Sequence, residues 1–243
     1  MLRRPSAKTI TGRTGFLINL TKCPPAENCV GCLRRRVLVF VFVSSCAMPK
    51  YQRRFSTVCA SNQNRSMAAH LALLEAGFAH VQSYGTGRTV KLPGPSVDKP
   101  NEYAFGTPYN VMYEDLKAQN EALYQQNGVL RMLDRNRNLK KGPERWQENF
   151  LRHDIVVTFE DRVFNAVLDD FATKRQPTLY EPVYIINLEV KDTHEQAQSG
   201  ARLAVDLCEL LDEVQDLDEE IESILEIFEE QSNQSLCYLP QYY

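Results

Sequence analysis

A cysteine, an arginine and a hydroxyl spaced as in CASNQNRS (residues 59–66) can carry phosphoryl-transfer chemistry. Phosphate needs a concave cradle of backbone N–H groups, and a short polar loop feeding a helix N-terminus supplies one. The guanidinium of Arg65 can hold two equatorial oxygens at once, which a lysine could not. Cys59 would lie on the floor of the cradle, where the N–H dipoles, the helix terminus and Arg65 all favour a negatively charged sulfur. Such a thiolate attacks phosphorus in line and gives a phosphocysteine that water later hydrolyses. Ser66 could donate its hydroxyl to the sulfur and help it leave. Asn62 is the residue expected to hold the loop's shape, since asparagine tolerates positive φ and bonds neighbouring backbone. Ala60, Ser61, Gln63 and Asn64 complete the phosphate-binding loop. A bare Cys-x5-Arg arises readily by chance, and a buried strand-end thiol is the competing reading of Cys59. The strand before the loop and the helix after it give the spacing its meaning.

A serine alkoxide leaves poorly, so a general acid is needed within hydrogen-bond reach of its oxygen. Sites in parallel α/β sheets form outside the carboxyl ends of strands, so the acid should follow a strand. Asp192 does, after PVYIINLEVK and before a helix start. Plain N-capping is its competing role, but Thr193 with Gln196 resembles a capping box that could cap without it. His194 and Glu195 are expected to enter the helix and point elsewhere.

The elements that must position these residues alternate along the chain. Short apolar runs at 53–58, 79–84, 154–159 and 182–190 read as strands; 66–77, 161–173 and 193–211 read as helices. This alternation predicts a three-layer α/β fold with a central parallel sheet. Residues 91–109, rich in proline, are expected to form a long ordered loop with no element of its own. Residues 112–126 and 127–134 look helical and are separated near Gly128. Apolar residues from Leu203 to Phe228, at alternating steps of four and three, form a helix stripe. It is read as a helix or two laid on the sheet, with a coiled-coil surface for a partner as the alternative.

Composition, 43% hydrophobic and 24% charged, is that of an ordinary soluble domain. Residues 1–47 differ: eight Lys or Arg stand against Glu27 alone. VLVFVFV (37–43) imitates a signal peptide's apolar stretch but is too short to span a membrane. The expectation is a basic extension of 1–47, disordered or an artefact of an extended gene model with its true start at Met48, followed by one catalytic domain over 48–243. Cys23, Cys29, Cys32 and Cys46 include a Cys-x-x-Cys pair, but the spacings match no zinc finger and they are read as incidental. The widely spaced Cys59, Cys208 and Cys237 suit free thiols in a reducing compartment. No metal and no cofactor are called for.

CASNQNRS, SYGTG (83–87), VKLPGP (90–95), DKPN (98–101), NGVLRMLDRN (127–136), PERWQ (143–147) and the terminal YY occur in one order. Together they resemble the family of phosphoserine phosphatases that act on the fifth-position serine of the RNA polymerase II C-terminal heptad. The resemblance runs from about residue 50 to the end. It implies a fold similar to low-molecular-weight tyrosine phosphatases, with extra elements over the active site. It places the family's nucleophile on Cys59, its phosphate arginine on Arg65 and its general acid on Asp192 in KDTHE. It places the substrate groove on Lys91, Leu92, Pro93 and Met132. It further implies a nuclear enzyme of mRNA 3′-end processing and transcription termination that takes the Ser-Pro bond in the cis form. Its partners would be the phosphorylated polymerase C-terminal domain and a cleavage and polyadenylation complex scaffold, with no direct contact to nucleic acid or membrane. The Asp-Pro-Tyr acid of the tyrosine-phosphatase cousins is missing here, and residues 1–47 have no counterpart in the family.

Two other functions fit parts of this pattern. A thiol-linked arsenate reductase shares the fold and loop but needs resolving cysteines near the nucleophile, and none lies between Cys59 and Cys208. A non-catalytic phosphopeptide-binding module would need only the cradle, and the intact Cys59, Arg65 and Asp192 argue against it.

Overall fold

The computed structural model describes residues 51–96, 98–175 and 180–243. The expectation for residues 1–47 lies outside them. In chain order the elements are β1 (Phe55–Cys59), α1 (Arg65–Glu75), β2 (Val81–Gly85), β3 (Val90–Ser96), β4 (Lys99–Tyr103), α2 (Tyr109–Gln126), α3 (Val129–Leu139), β5 (Ile155–Thr158), α4 (Asp161–Thr173), β6 (Pro182–Leu188), α5 (His194–Glu213), α6 (Leu217–Ser232) and β7 (Leu236–Tyr242).

The main sheet runs in the order β2-β1-β5-β6-β7, parallel through its first four strands. Continuous apolar runs such as IVV and VYII suit strands covered on both faces. Ile155 and Val157 of β5, with Tyr184, Ile186 and Leu188 of β6, pack under α1, α5 and α6. Val156, Val183 and Ile185 point to the opposite face, against Val163, Val167 and Phe171 of α4 and the buried Trp146. The result is the expected three-layer α/β fold.

Of the local readings, the helix stripe stands as a helix pair laid on the sheet, and the 91–109 loop needs correction. The stripe from Leu203 to Phe228 is two helices, because the chain leaves α5 at Val214 and restarts where Asp216 caps α6 by accepting from the N–H groups of Asp218 and Glu219. Leu207, Leu217, Ile221, Ile224 and Phe228 are buried against the sheet, so the stripe is a core face. Residues after it form β7, an antiparallel edge strand paired from Pro182↔Tyr242 to Leu188↔Leu236. Finally, 91–109 is no featureless loop: β3 and β4 make an antiparallel hairpin with a register shift between Leu92 and Ser96. Proline cannot donate to a ladder, but a two-stranded ribbon has outer edges where no donor is needed, and Pro93, Pro95 and Pro100 are tolerated there.

The hairpin, α2 and α3 share a separate small core around Leu92, Tyr109, Met112, Leu116, Tyr124 and Leu133. α2 is broken at Asn120, whose backbone is extended (φ −164°) and whose side chain accepts from the N–H of Leu123. Gly128, at φ +79°, separates α2 from α3. These elements stand beside the loop 60–64.

Candidate active site

The chain passes from β1 to β2 on one side and returns to β5 on the other, so strand order reverses between β1 and β5. A crevice opens at the carboxyl ends of strands at such a point. Cys59 ends β1 there, the loop 60–64 crosses the crevice, and α1 starts at Arg65.

The loop is held on every side. Asn62 has φ +51°, as its residue type suggested, and is fully buried. Its Nδ2 donates to Ser66 Oγ (3.0 Å), its Oδ1 accepts from the Glu144 N–H (3.1 Å) and its carbonyl accepts from the Tyr109 hydroxyl (2.6 Å). Ser66 Oγ lies 3.1 Å from Cys59 Sγ. The SYGTG segment backs the loop: the N–H groups of Thr86 and Gly87 donate to the carbonyls of Cys59 and Ala60 (3.0 and 2.9 Å). A Cβ on Gly85 would lie 2.8 Å from the Ala60 carbonyl oxygen, and one on Gly87 2.9 Å from the same atom. Only glycine permits that approach.

Arg65 is buried, with 3% of its side chain exposed. Its Nη1 donates to the carbonyls of Phe159 and Val190, both at 2.9 Å, and pairs with Glu160 at 2.8 Å. Those anchors come from the ends of β5 and β6. Its Nη2 is 3.5 Å from Asp192, and its buried Nε makes no hydrogen bond. One edge of the guanidinium is therefore anchored, and the other holds a donor in need of an acceptor. Burial works against the charge, but Cys59, Asp192 and Glu160 outweigh it and raise the guanidinium above its ordinary range. For Glu160, burial opposes ionisation, and the hydrogen bond from Arg65 more than offsets it, lowering the carboxyl below its usual value. Asp192, 58% exposed, accepts from Asn64 Nδ2 at 3.0 Å. Thr193, not Asp192, caps α5, its hydroxyl accepting from the Gln196 N–H. The carboxyl of Asp192 is thus left over the cradle.

A cavity of about 300 Å³ opens here. Cys59, Ser61, Gln63, Asn64 and Asp192 line it together with all four groove residues, Lys91, Leu92, Pro93 and Met132. Ala60, Asn62, Arg65 and Ser66 do not line it, and the last three are buried. The reading of His194 is corrected: it lines the cavity with Thr193, its ring packed against Gly128, because the first turn of α5 faces the α2–α3 junction. Asn127 and Val129 line it as well. Glu160, which sequence reasoning passed over, carries no motif; its only mark is that it follows a strand end, as Asp192 does. Among the described residues, no three or more His, Cys, Asp or Glu side chains gather where a metal ion could be held. No described helix is long and apolar enough to cross a membrane.

Residues 53–243 match the family model described as Ssu72-like protein. The chain is 45% identical over 195 residues to SSU72 of Danio rerio, a phosphatase of the RNA polymerase II C-terminal domain, covering 79% of this chain and 100% of the relative. It is 50% identical over 173 residues to the phosphatase of the same name from Schizosaccharomyces pombe, covering 71% and 87%. A crystal structure of Drosophila melanogaster Ssu72 and symplekin, bound to a cis peptidomimetic of the fifth-position phosphoserine peptide, matches with a TM-score of 0.76 at 39% identity. It covers 79% of this chain and 100% of that one.

Proposed function

This chain belongs to the Ssu72-like protein family, and from that premise we propose that it is a cysteine-dependent phosphatase of phosphoserine in the C-terminal heptad repeats of RNA polymerase II. The observation that carries the reading is the meeting of Cys59 and the Asp192 carboxyl at one cavity, with the unanchored edge of the buried Arg65 guanidinium 3.5 Å from that carboxyl.

In that arrangement the phosphoryl group sits in the cradle, with two oxygens on Arg65 Nε and Nη2. The Cys59 thiolate attacks phosphorus; the S–P bond forms as the P–O bond to serine breaks, and the serine oxygen takes a proton from the Asp192 carboxyl. Water then attacks phosphorus and gives a proton to the Asp192 carboxylate. The S–P bond breaks, the thiolate is restored with the Ser66 hydroxyl donating to it, and phosphate departs. Lys91, Leu92, Pro93 and Met132 form the walls that receive the peptide on either side of the phosphoserine. The fly structure's cis peptidomimetic supports a groove for a cis Ser-Pro bond, and its symplekin supports a processing-complex scaffold as partner. Action on RNA polymerase II supports a nuclear location and a role in 3′-end processing and termination.

The test is phosphate release from a phosphorylated heptad peptide by the wild type and by Cys59→Ser. Wild-type turnover, with none in the variant and peptide binding retained, is expected. Binding without wild-type turnover would make the protein a phosphopeptide-binding module, and turnover of the variant within threefold of wild type would remove Cys59 from the nucleophile role.

A further inference from the structure

Two successive carbonyls of the loop, those of Asn62 and Gln63, are tied to the α2–α3 unit, and the next, of Asn64, is shared between that unit and the Ala68 N–H of α1 (2.9 Å). The Asn62 carbonyl accepts from the Tyr109 hydroxyl at the start of α2 (2.6 Å). The Gln63 carbonyl accepts from Arg135 Nη2 and Asn136 Nδ2, both at 2.8 Å, and the Asn64 carbonyl accepts from Arg135 Nη2 at 3.3 Å. Asn136 is fully buried and returns a bond: its Oδ1 accepts from Arg135 Nε (3.0 Å) and Nη2 (2.9 Å). A trans peptide points its N–H opposite its C=O. Turning the Asn62 and Gln63 carbonyls toward α2 and α3 therefore turns the N–H groups of Gln63 and Asn64 the other way.

We infer that Arg135 is a positioning residue of the phosphate cradle, fixing the direction of its N–H groups and placing a cation behind it, on the same helix that lends Met132 to the substrate cavity. A planar fork that serves two carbonyls and the Asn136 amide at once is a task for arginine; a lysine keeps the charge but loses the fork. Burial lowers the Arg135 guanidinium to about 10, against the pull of Tyr109 and Cys59, so it stays charged at neutral pH. The arrangement makes the cradle's shape depend on how the α2–α3 unit is seated. The inference rests on the assignment of Cys59 as nucleophile.

The experiment compares wild type, Arg135→Lys and Arg135→Met on a small aryl phosphate, which does not need the peptide groove. Three quantities are read: kcat, inhibition by inorganic phosphate, and the rates at which iodoacetate and iodoacetamide inactivate the enzyme. The ratio of those rates reports the positive field at Cys59, which a purely structural residue would not set. Arg135→Met is expected to lower kcat about 10- to 100-fold, weaken phosphate inhibition about tenfold and reduce the iodoacetate preference about fivefold. Arg135→Lys is expected to regain most of that preference while recovering kcat only in part, and it keeps the test informative should the methionine variant not fold. Variants within twofold of wild type in all three quantities would overturn the inference, even if they melt at lower temperature. Failure of the underlying assignment looks different: the wild type itself would not turn over, or alkylation of Cys59 would leave its activity intact.

Discussion

Contacts reach Cys59, at the end of its strand, from both sides. Ser66 Oγ stands 3.1 Å away, and Arg65 is held behind the loop by Glu160 and two carbonyls. Asp192, exposed and steadied by Asn64, has the freedom to follow a leaving oxygen. Asp192→Asn should therefore slow peptide hydrolysis at least about tenfold more than hydrolysis of an aryl phosphate, whose phenolate leaves without a proton. Steady-state kcat on the two substrates measures this, and equal losses would take Asp192 out of the acid role. At this scale the sequence was readable because Cys59, Asn62, Arg65 and Ser66 lie within eight residues. Glu160, Arg135 and Asn136 were not readable as site residues, since they reach the loop from 71 to 95 positions away through contacts only the folded chain defines.

The strands β1, β2, β5 and β6 and the helices α1, α4 and α5 were visible in the sequence, because burial on both faces leaves unbroken apolar runs and one-sided burial leaves a helical stripe. The hairpin of β3 and β4 was hidden by prolines, which in a central strand would argue against the assignment. β7 was hidden for the same reason, with Pro240 inside an edge strand whose exposure alternates. The hairpin bears on the proposed substrate groove, since Lys91, Leu92 and Pro93 form one wall of the cavity. Its turn is tight enough that a Cβ on Gly94 would lie 1.6 Å from the Lys99 carbonyl oxygen. Gly94→Ala must open the hairpin and displace that wall. The expected outcome is a rise of about tenfold or more in KM for a phosphorylated heptad peptide, with kcat/KM for an aryl phosphate within about twofold of wild type. Parallel losses on both substrates would show that the hairpin supports the cradle and not the peptide.

Across the whole molecule, two buried histidines make stability depend on pH. Burial, aided by Lys140, pushes His70 down to about 4, and burial with Arg175 and Arg54 nearby does the same to His153. In the unfolded chain both protonate near about 6.5, so between that value and about 4 the unfolded state binds more protons. Stability is then full above about 6.5 and is lost as the pH falls through that window, by about 2 kcal/mol for each histidine at about pH 5. Urea midpoints at neutral pH and at about pH 5 check this, and equal midpoints would contradict it. The same packing that excludes protons from these rings keeps the sheet rigid beneath a loop whose geometry the chemistry needs. That chemistry is tested most directly by rapid acid quench of the enzyme during turnover of a heptad peptide carrying labelled phosphate, followed by proteolysis to locate bound label. The account predicts label on the peptide that contains Cys59, absent in Cys59→Ser, whereas label on another residue, or undiminished turnover with none at Cys59, would contradict it.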